Sequence, residues 1–147
     1  MIYVLYGQSG SGKTTLSQIL CEHIQSQSTG CSPVVIDGDK FREIFNKTDY
    51  SKKGRESNIR AANIVATYIS KVNTVDVVLA LVNPYEHLRA ELREHNSEVI
   101  EILLESDRDL KKEFHVEEFE RGNPDHIINT DNPTDNTWRE LKELLNL

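Results

Sequence analysis

The sequence predicts an α/β protein whose parallel β-sheet carries helices on both faces. Two observations lead to this prediction. Short apolar runs alternate along the chain with segments whose apolar residues recur at helical spacing, and this alternation is typical of β-α-β units. In addition, residues 7–14 read GQSGSGKT, a complete GxxxxGK[ST] phosphate loop. The loop lies between a predicted strand and a predicted helix, which is the context in which this motif holds nucleotide phosphates.

Apolar runs and helical stripes define the predicted elements of the first half. Residues 2–6 and 33–36 are short apolar runs that predict strands. Residues 13–25 carry apolar side chains at helical spacing and predict the first helix, and a short helix is expected at 40–45. A longer apolar stripe predicts a helix at 55–72.

The second half continues the alternation without an internal repeat. Residues 75–82 form the most apolar run of the chain, and because such runs are buried on both faces, we expect this one to be the central strand. The remaining predicted elements are, in order, a helix at 85–94, a strand at 99–104, a charged helix at 107–121, a short strand at 127–128 and a terminal helix at 134–147.

Length and charge limit the classes of partner. The chain has 147 residues, which is enough for one hydrophobic core and too few for two ordinary domains. Its 17 Lys and Arg against 24 Asp and Glu give a net charge of −7, which disfavours nonspecific binding to nucleic acid or to an anionic membrane. A small anionic partner must therefore be held by local positive groups. No apolar run is long enough to span a bilayer, and we expect a cytoplasmic protein without membrane association.

Several residues of the phosphate loop have a defined task. Its glycines allow the backbone N–H groups to turn toward the phosphates, and the dipole of the following helix adds positive potential. Lys13 neutralises oxygens of the β- and γ-phosphates, and the hydroxyl of Thr14 is a ligand for Mg²⁺. We therefore expect a bound nucleoside triphosphate. A Gly/Ser linker that matches the motif by chance is the alternative.

Asp37-Gly38-Asp39 directly follows the second predicted strand. Open α/β sheets bind ligands at the carboxyl ends of their strands, and side chains two residues apart in extended backbone point the same way. Both carboxylates are therefore expected to face the phosphate loop, as a magnesium ligand and as the general base of phosphoryl transfer to a hydroxyl. Gly38 permits close backbone approach, and Arg42 lies one helical turn beyond Asp39. A solvated Asp-Gly turn is the alternative.

The long predicted helix begins with two polar residues on its apolar stripe. Arg55 and Asn58 continue the stripe of residues 59, 62, 66 and 69 at helical spacing, so we expect them on the buried face. Polar groups there need partners, and a bound anion would satisfy Arg55 while Asn58 would bridge substrate and backbone. An ordinary helix N-terminus with solvated side chains is the alternative. Tyr50, in the preceding loop, is a candidate for stacking on a nucleobase, although a single aromatic residue more often serves packing.

Four blocks of the sequence resemble adenylylsulfate kinase, which phosphorylates the ribose 3′-hydroxyl of adenylylsulfate with ATP. The blocks are GQSGSGKTT, VIDGDKFREIFN, YSKKGRESNIRAAN and LALVNPYEHLRAELR, and they cover about residues 2–94 in order and spacing. Four blocks in register are far more specific than the phosphate loop alone. The resemblance implies the fold of a P-loop nucleoside-triphosphate kinase over residues 1–147, a phosphotransferase activity that uses ATP and Mg²⁺, and a role in sulfate assimilation.

The resemblance also implies roles for individual residues. Those implied for ATP are Gly7, Ser9, Gly10, Ser11, Gly12, Lys13, Thr14, Thr15 and Arg108. Those implied for the acceptor are Asp39, Arg42, Tyr50, Arg55, Asn58, Asn83 and Pro84. The implied catalytic residues are Lys13, Asp39 and Asp37. Asp39 would act as the base or, with Thr14, as a magnesium ligand, and Asp37 would support it. Tyr50 stands where the family usually has Phe, and Asn83 stands where it has Ser, so no role of that Ser hydroxyl transfers.

The C-terminal third departs from the family pattern. Family members carry a lid resembling Arg-Asp-x-Lys-Gly-Leu-Tyr-Lys-Lys-Ala, followed by a Phe-Thr-Gly-Ile-Asp segment that supplies a second stacking aromatic residue. Here residues 108–111 fit the start of the lid, a shorter and more acidic stretch follows, and residues 123–130 again resemble the family's ending. We therefore expect a lid-like segment at about 105–122, with Phe114 or Phe119 as the candidate for the missing aromatic residue.

Three functional hypotheses follow. The first is an adenylylsulfate kinase, because residues for both ATP and acceptor are present. The second is a related kinase of another acceptor, such as a nucleoside, a nucleotide or a modified base in nucleic acid, and is motivated by the shortened lid. The net charge disfavours a nucleic-acid acceptor. This alternative is retained because of a local basic strip at Lys47, Lys52, Lys53 and Arg55. The third is a noncatalytic nucleotide-binding module. A homodimer is left open.

Overall fold

A parallel sheet forms the centre of the molecule. The structure is a computed structural model that describes residues 1–108 and 114–147. Its five strands are β1 (Ile2–Tyr6), β2 (Val34–Asp37), β3 (Val77–Leu81), β4 (Val99–Glu105) and β5 (His126–Asn129). They are hydrogen-bonded in the order β2-β3-β1-β4-β5, with all pairs parallel. The predicted parallel sheet is confirmed.

The central strand is β1, so the prediction that residues 75–82 form the centre is wrong. Ile2 pairs with Val77 on one side and with Val99 on the other. The apolar run at β3 reflects burial on both faces, which β1 shares, because every residue of both strands is buried. The phosphate loop therefore leaves the sheet at its middle strand.

Helices cover both faces of the sheet. They are α1 (Lys13–Gln27), α2 (Gly38–Ile44), α3 (Lys52–Asn73), α4 (Glu86–His95) and α5 (Thr134–Leu144). One hydrophobic cluster packs α3 and α4 against the sheet, and a second cluster packs α1 and α5 against its other face. Among the helices that the structure describes, none is long and apolar enough to cross a bilayer.

Two helices begin earlier than predicted because side chains cap them. The Asp37 carboxylate accepts hydrogen bonds from the backbone N–H groups of Asp39 and Lys40, at 3.1 and 3.2 Å, and α2 therefore starts at Gly38. The Ser51 hydroxyl accepts from the backbone N–H of Gly54 at 3.2 Å and caps α3. Asp39 is consequently helical, which corrects the extended backbone assumed for Asp37 to Asp39.

The charged helix predicted at 107–121 is wrong for residues 114–121, which contain no α-helix. Residues 109–113, where most of the predicted lid start falls, lie outside the described residues. Tertiary contacts determine the path of the segment instead. Val116 is buried, the ring of Phe119 stacks on Tyr6 with 6.1 Å between centroids, and the backbone N–H of Glu120 donates to the Pro84 carbonyl at 2.8 Å.

Candidate functional site

A cavity of about 1000 Å³ opens at the carboxyl ends of β1, β2 and β3. Its walls come from the phosphate loop, α2, the loop before α3, the start of α3, the end of β3 and the segment after residue 113. The predicted site residues that line it are Ser9, Gly10, Gly12, Lys13, Thr14, Thr15, Asp37, Asp39, Arg42, Tyr50, Arg55, Asn58, Asn83, Pro84 and Phe114. The structure thus brings together most residues that the sequence proposed separately.

The phosphate loop forms the floor of one half of the cavity. Gly12 has a left-handed backbone, with φ 95°, that turns the chain into α1. The Lys13 ammonium donates to the carbonyls of Gly7 and Gln8, at 3.0 and 2.8 Å, and the side chain is 9% exposed. Gly7 and Ser11 also belong to this loop, but both are buried and neither lines the cavity. A Cβ at Gly7 would clash with the carbonyl oxygen of Leu104, so a close approach to β4 requires glycine there.

One hydrogen bond joins the phosphate loop to the carboxylate pair. The Thr14 hydroxyl donates to Oδ2 of Asp37 at 2.6 Å, while Oδ1 of Asp37 caps α2. Asp37 is therefore fixed between two elements. Asp39 lies in the first turn of α2, and its exposed side chain lines the cavity. The two carboxylates thus share the cavity, but they have different environments.

Two buried amides, from α3 and from the loop after β3, form part of the cavity wall. Asn58 is 3% exposed and Asn83 is 1% exposed. The Oδ1 atom of Asn58 and both amide atoms of Asn83 have no hydrogen-bond partner within the described residues. A buried polar group left without a partner costs roughly 1–3 kcal/mol. This wall is therefore suited to a polar ligand, and half-buried Arg55 adds a positive charge beside it.

Arg42 anchors the loop that carries Tyr50. Its Nη1 donates to the carbonyls of Lys47 and Asp49, at 3.2 and 3.1 Å, and its guanidinium lies 4.2 Å from the centroid of the Tyr50 ring. Tyr50 is 53% exposed. Arg42 also lines the cavity, so the side chain that holds the loop borders the space for a ligand.

The two candidate aromatic residues have different surroundings. Phe114 is 52% exposed and lines the cavity. Phe119 packs against the hydrophobic core and stacks on Tyr6. Phe114 is therefore the aromatic side chain of this segment that a cavity ligand can contact.

Arg108 stands apart from the cavity that the described residues form. Its Nε donates to Ser106 Oγ at 2.9 Å and lies 3.3 Å from an Asp131 carboxylate oxygen. Its Nη2 donates to Thr130 Oγ1 at 3.3 Å. Thr130 lies beside Gly12, since a Cβ there would be 3.9 Å from Thr130. Arg108 thus approaches the phosphate loop through Thr130, and its contact with ATP stays a prediction.

Arg89 holds a residue of the cavity wall in place and was not predicted from the sequence. Its side chain is 1% exposed and donates to the carbonyls of Asn83 and Glu120, at 2.6 and 2.7 Å. The guanidinium also lies 4.2 Å from the ring centroid of Tyr6, whose pKa burial raises to about 12. Asn83 has a left-handed backbone with φ 46°, and Arg89 holds its carbonyl. The sequence did offer one signal for its burial, because Arg89 directly follows Leu88 on the buried face of α4.

Gln8 was also missed, because it occupies a variable position of the motif. Its Nε2 donates to the Val116 carbonyl at 2.8 Å, and its Oε1 accepts from the Val116 N–H at 3.0 Å. The partner is 108 residues away, so no local pattern could have indicated this contact.

Comparison with known proteins agrees with the geometry. The family model described as adenylylsulphate kinase matches residues 1–119. The adenylyl-sulfate kinase of Picosynechococcus is 34% identical over 99 residues, which is 67% of this chain and 54% of that protein. The corresponding enzyme of Chloroflexus aurantiacus is 32% identical over 105 residues, 71% of this chain and 55% of that protein. The chain therefore spans about half the length of the curated relatives it matches.

A solved structure shares the whole fold. The APS kinase of Mycobacterium tuberculosis, in complex with AMPPNP and APS, superposes with a TM-score of 0.81, 22% identity, and coverage of 99% of this chain and 97% of that chain. At this identity the likeness shows the fold alone, and the predicted P-loop kinase fold is confirmed.

Proposed function

The chain belongs to the adenylylsulfate kinase family, and from this premise we propose that it transfers the γ-phosphoryl group of ATP to the 3′-hydroxyl of adenylylsulfate. The observation that carries the proposal is that one cavity contains both the phosphate loop and buried amide atoms of Asn58 and Asn83 that have no hydrogen-bond partner among the described residues. A donor phosphate and a polar acceptor can therefore meet inside the same walls. A cytoplasmic location is part of this proposal.

The phosphate-loop side fits ATP and a magnesium ion. Lys13 neutralises the β- and γ-phosphate oxygens, and the loop N–H groups bind them. Thr14 and Asp37 already form one oxygen cluster, joined at 2.6 Å, and hard oxygen ligands of this kind suit Mg²⁺. When bound, the ion neutralises charge on the phosphates. We assign Thr14 and Asp37 to it, with Asp39 as a further carboxylate in reach of the cavity.

We assign the acceptor proton to Asp39. Phosphoryl transfer needs mainly positioning, charge neutralisation and an acceptor for the hydroxyl proton. Asp37 uses Oδ1 to cap α2 and Oδ2 to accept from Thr14. Asp39 instead exposes its carboxylate to the cavity. It is therefore the better placed of the two carboxylates to accept a proton from a bound hydroxyl.

The acceptor is recognised by charge, by amides and by stacking. Arg55 binds the anionic part of the acceptor, since an arginine–anion hydrogen bond is charge-assisted. Asn58 and Asn83 hydrogen-bond its polar groups, which gives partners to the buried amide atoms that have none among the described residues. Tyr50 and Phe114, each about half exposed on the cavity wall, stack on the adenine.

A second candidate is a kinase of another acceptor. It is favoured by the departure from the family pattern in the lid-like segment. An acceptor screen with labelled ATP tests both candidates. We expect phosphate transfer to adenylylsulfate above transfer to AMP, adenosine or a DNA oligonucleotide, with Lys13→Ala as the inactive control. Preferred transfer to one of the others would favour the second candidate, and ATP binding without transfer would leave a noncatalytic nucleotide-binding module.

A further inference from the structure

The side chain of Gln8 connects the phosphate loop to the part of the cavity wall that contains Phe114 and Val116. Its carboxamide makes two hydrogen bonds to the backbone of one residue, donating to the Val116 carbonyl at 2.8 Å and accepting from the Val116 N–H at 3.0 Å. Val116 is 5% exposed and lines the cavity, as does Phe114 two residues earlier. A paired contact of this kind fixes orientation as well as distance, because both polar groups of a planar amide are used.

The backbone of Gln8 belongs to the nucleotide side. Its carbonyl accepts from the Ser11 N–H at 3.1 Å and from the Lys13 ammonium at 2.8 Å. These contacts involve main-chain atoms, so they do not require a glutamine side chain. The main chain of residue 8 therefore shapes the phosphate loop, whereas its side chain holds Val116.

Residues 114–121, here called the wall segment, are also held at their C-terminal end by contacts that do not involve Gln8. The Glu120 N–H donates to the Pro84 carbonyl at 2.8 Å, and the Glu120 carbonyl accepts from Arg89 at 2.7 Å. Phe119 packs into the core. Loss of the Gln8 side chain would therefore loosen residues 114–118 while the segment from Phe119 onward stays docked.

We infer that Gln8 is a positioning residue that holds the wall formed by Phe114 and Val116 against the phosphate loop and so shapes the acceptor site. The acceptor named here, adenylylsulfate, rests on the proposed function. The contact itself does not depend on that assignment. Gln8 acts on the acceptor through Val116 and Phe114, since its own side chain is not among the described residues that line the cavity.

Amide hydrogen exchange in the full chain tests the contact directly. The Val116 N–H is expected to be protected in the wild type and to exchange about tenfold faster in Gln8→Leu, which removes both hydrogen bonds at similar side-chain size. The Glu120 N–H, which donates to Pro84, serves as the internal control and is expected to keep its protection. Equal exchange of the Val116 N–H in both proteins would overturn the inference.

Steady-state kinetics test the consequence for the acceptor. In Gln8→Leu the KM for the acceptor is expected to rise about fivefold or more, with the KM for ATP within about twofold, because the Gln8 main chain is retained. Gln8→Glu is expected to be worse, since a carboxylate would face the Val116 carbonyl. Gln27→Leu, an exposed change on α1, is the matched control. An equal rise in both KM values would assign Gln8 to the phosphate loop instead.

These two measurements separate the inference from the proposed function. If the wild type fails to phosphorylate adenylylsulfate, the proposed function fails, while the exchange rates still decide whether Gln8 holds the wall. The kinetic comparison is then made with whichever acceptor the screen identifies. Unchanged acceptor KM in Gln8→Leu, despite faster exchange at Val116, would overturn the role in acceptor binding.

Discussion

The hydroxyl of Thr14 donates to the carboxylate of Asp37 at 2.6 Å, joining two motifs that are 23 residues apart in sequence. Because Asp37 also caps α2, this one carboxylate sets the position of the phosphate loop relative to the helix that carries Asp39. The bond gives the two aspartates unequal environments, and unequal roles follow from it.

Replacement of Lys13 tests the phosphate-loop assignment. In Lys13→Ala the transferring phosphoryl group loses a neutralising charge, and we expect turnover to fall by ~10²-fold or more. Lys13→Arg is also expected to fail, because a planar guanidinium does not replace a compact ammonium in a tight loop. Initial rates at saturating ATP measure the effect, with circular dichroism to confirm folding. Near-normal turnover in Lys13→Ala would contradict the assignment.

Exchange of carboxylate for amide separates Asp39 from Asp37. Asp39→Asn keeps the shape of the side chain but removes the proton acceptor, so turnover is expected to collapse while ATP binding is largely kept. Asp37→Asn retains an oxygen that can cap α2, and we expect a smaller loss of turnover together with a raised magnesium requirement. Turnover measured across a magnesium titration distinguishes the two variants. If Asp37 is indispensable and Asp39 dispensable, the roles are reversed.

Truncation of Arg55 and Asn58 tests the acceptor wall. Each change to Ala is expected to raise the KM for the acceptor and to leave the KM for ATP nearly unchanged. Arg55 is expected to matter more, because a charge-assisted hydrogen bond is typically worth ~1.5–3 kcal/mol against about 1 kcal/mol for a neutral pair. Substrate titrations with adenylylsulfate and with AMP give the comparison, and the Arg55 effect should be larger for adenylylsulfate. Equal shifts in both KM values would place these residues outside the acceptor site.

Local patterns predicted those parts of the fold and site that depend on nearby residues. The stripe of α3 indicated that Asn58 is buried, and the phosphate loop was recognisable from its glycines and Lys13. Long-range contacts were not predictable in this way. Val116 and Phe119 have helical spacing, yet their contacts with Gln8 and Tyr6, more than 100 residues away, determine the conformation.

Backbone details at the strand ends also depended on context. Asp37 contacts the phosphate loop through Thr14 and Asp39 lines the same cavity, but the direction of their side chains was argued from extended backbone. Capping by Asp37 starts the helix at Gly38 instead. Whether an aspartate caps a helix depends on the turn that follows it, which the residue pattern alone does not specify.

Replacement of Arg89 tests how much this buried side chain, which binds the Asn83 carbonyl of the cavity wall, contributes to stability. Arg89→Leu leaves the buried Asn83 carbonyl and the Glu120 carbonyl without their donor. It also removes the guanidinium whose Nε lies 3.4 Å from a carboxylate oxygen of buried Glu101. We expect a loss of roughly 3–5 kcal/mol in the free energy of unfolding, as for other broken buried charge contacts. Urea denaturation measures it. Arg89→Lys should recover only part of the lost free energy of unfolding, because one ammonium cannot reproduce the planar set of N–H donors of a guanidinium. A loss below about 1 kcal/mol would show that the buried guanidinium is not needed.

The two phenylalanines of the wall segment give the sharpest contrast between a ligand contact and a core contact. Phe114→Ala removes a half-exposed ring from the cavity wall, so we expect a higher KM for the acceptor and a change within about 0.5 kcal/mol in the free energy of unfolding. Phe119→Ala removes a ring that stacks on Tyr6 in the core, and we expect a loss of roughly 3 kcal/mol or somewhat less, since the ring is partly buried. Phe114→Tyr, which keeps the stacking face, should restore the acceptor KM. If Phe119→Ala instead raises the acceptor KM without loss of stability, Phe119 is the stacking residue and Phe114 is not.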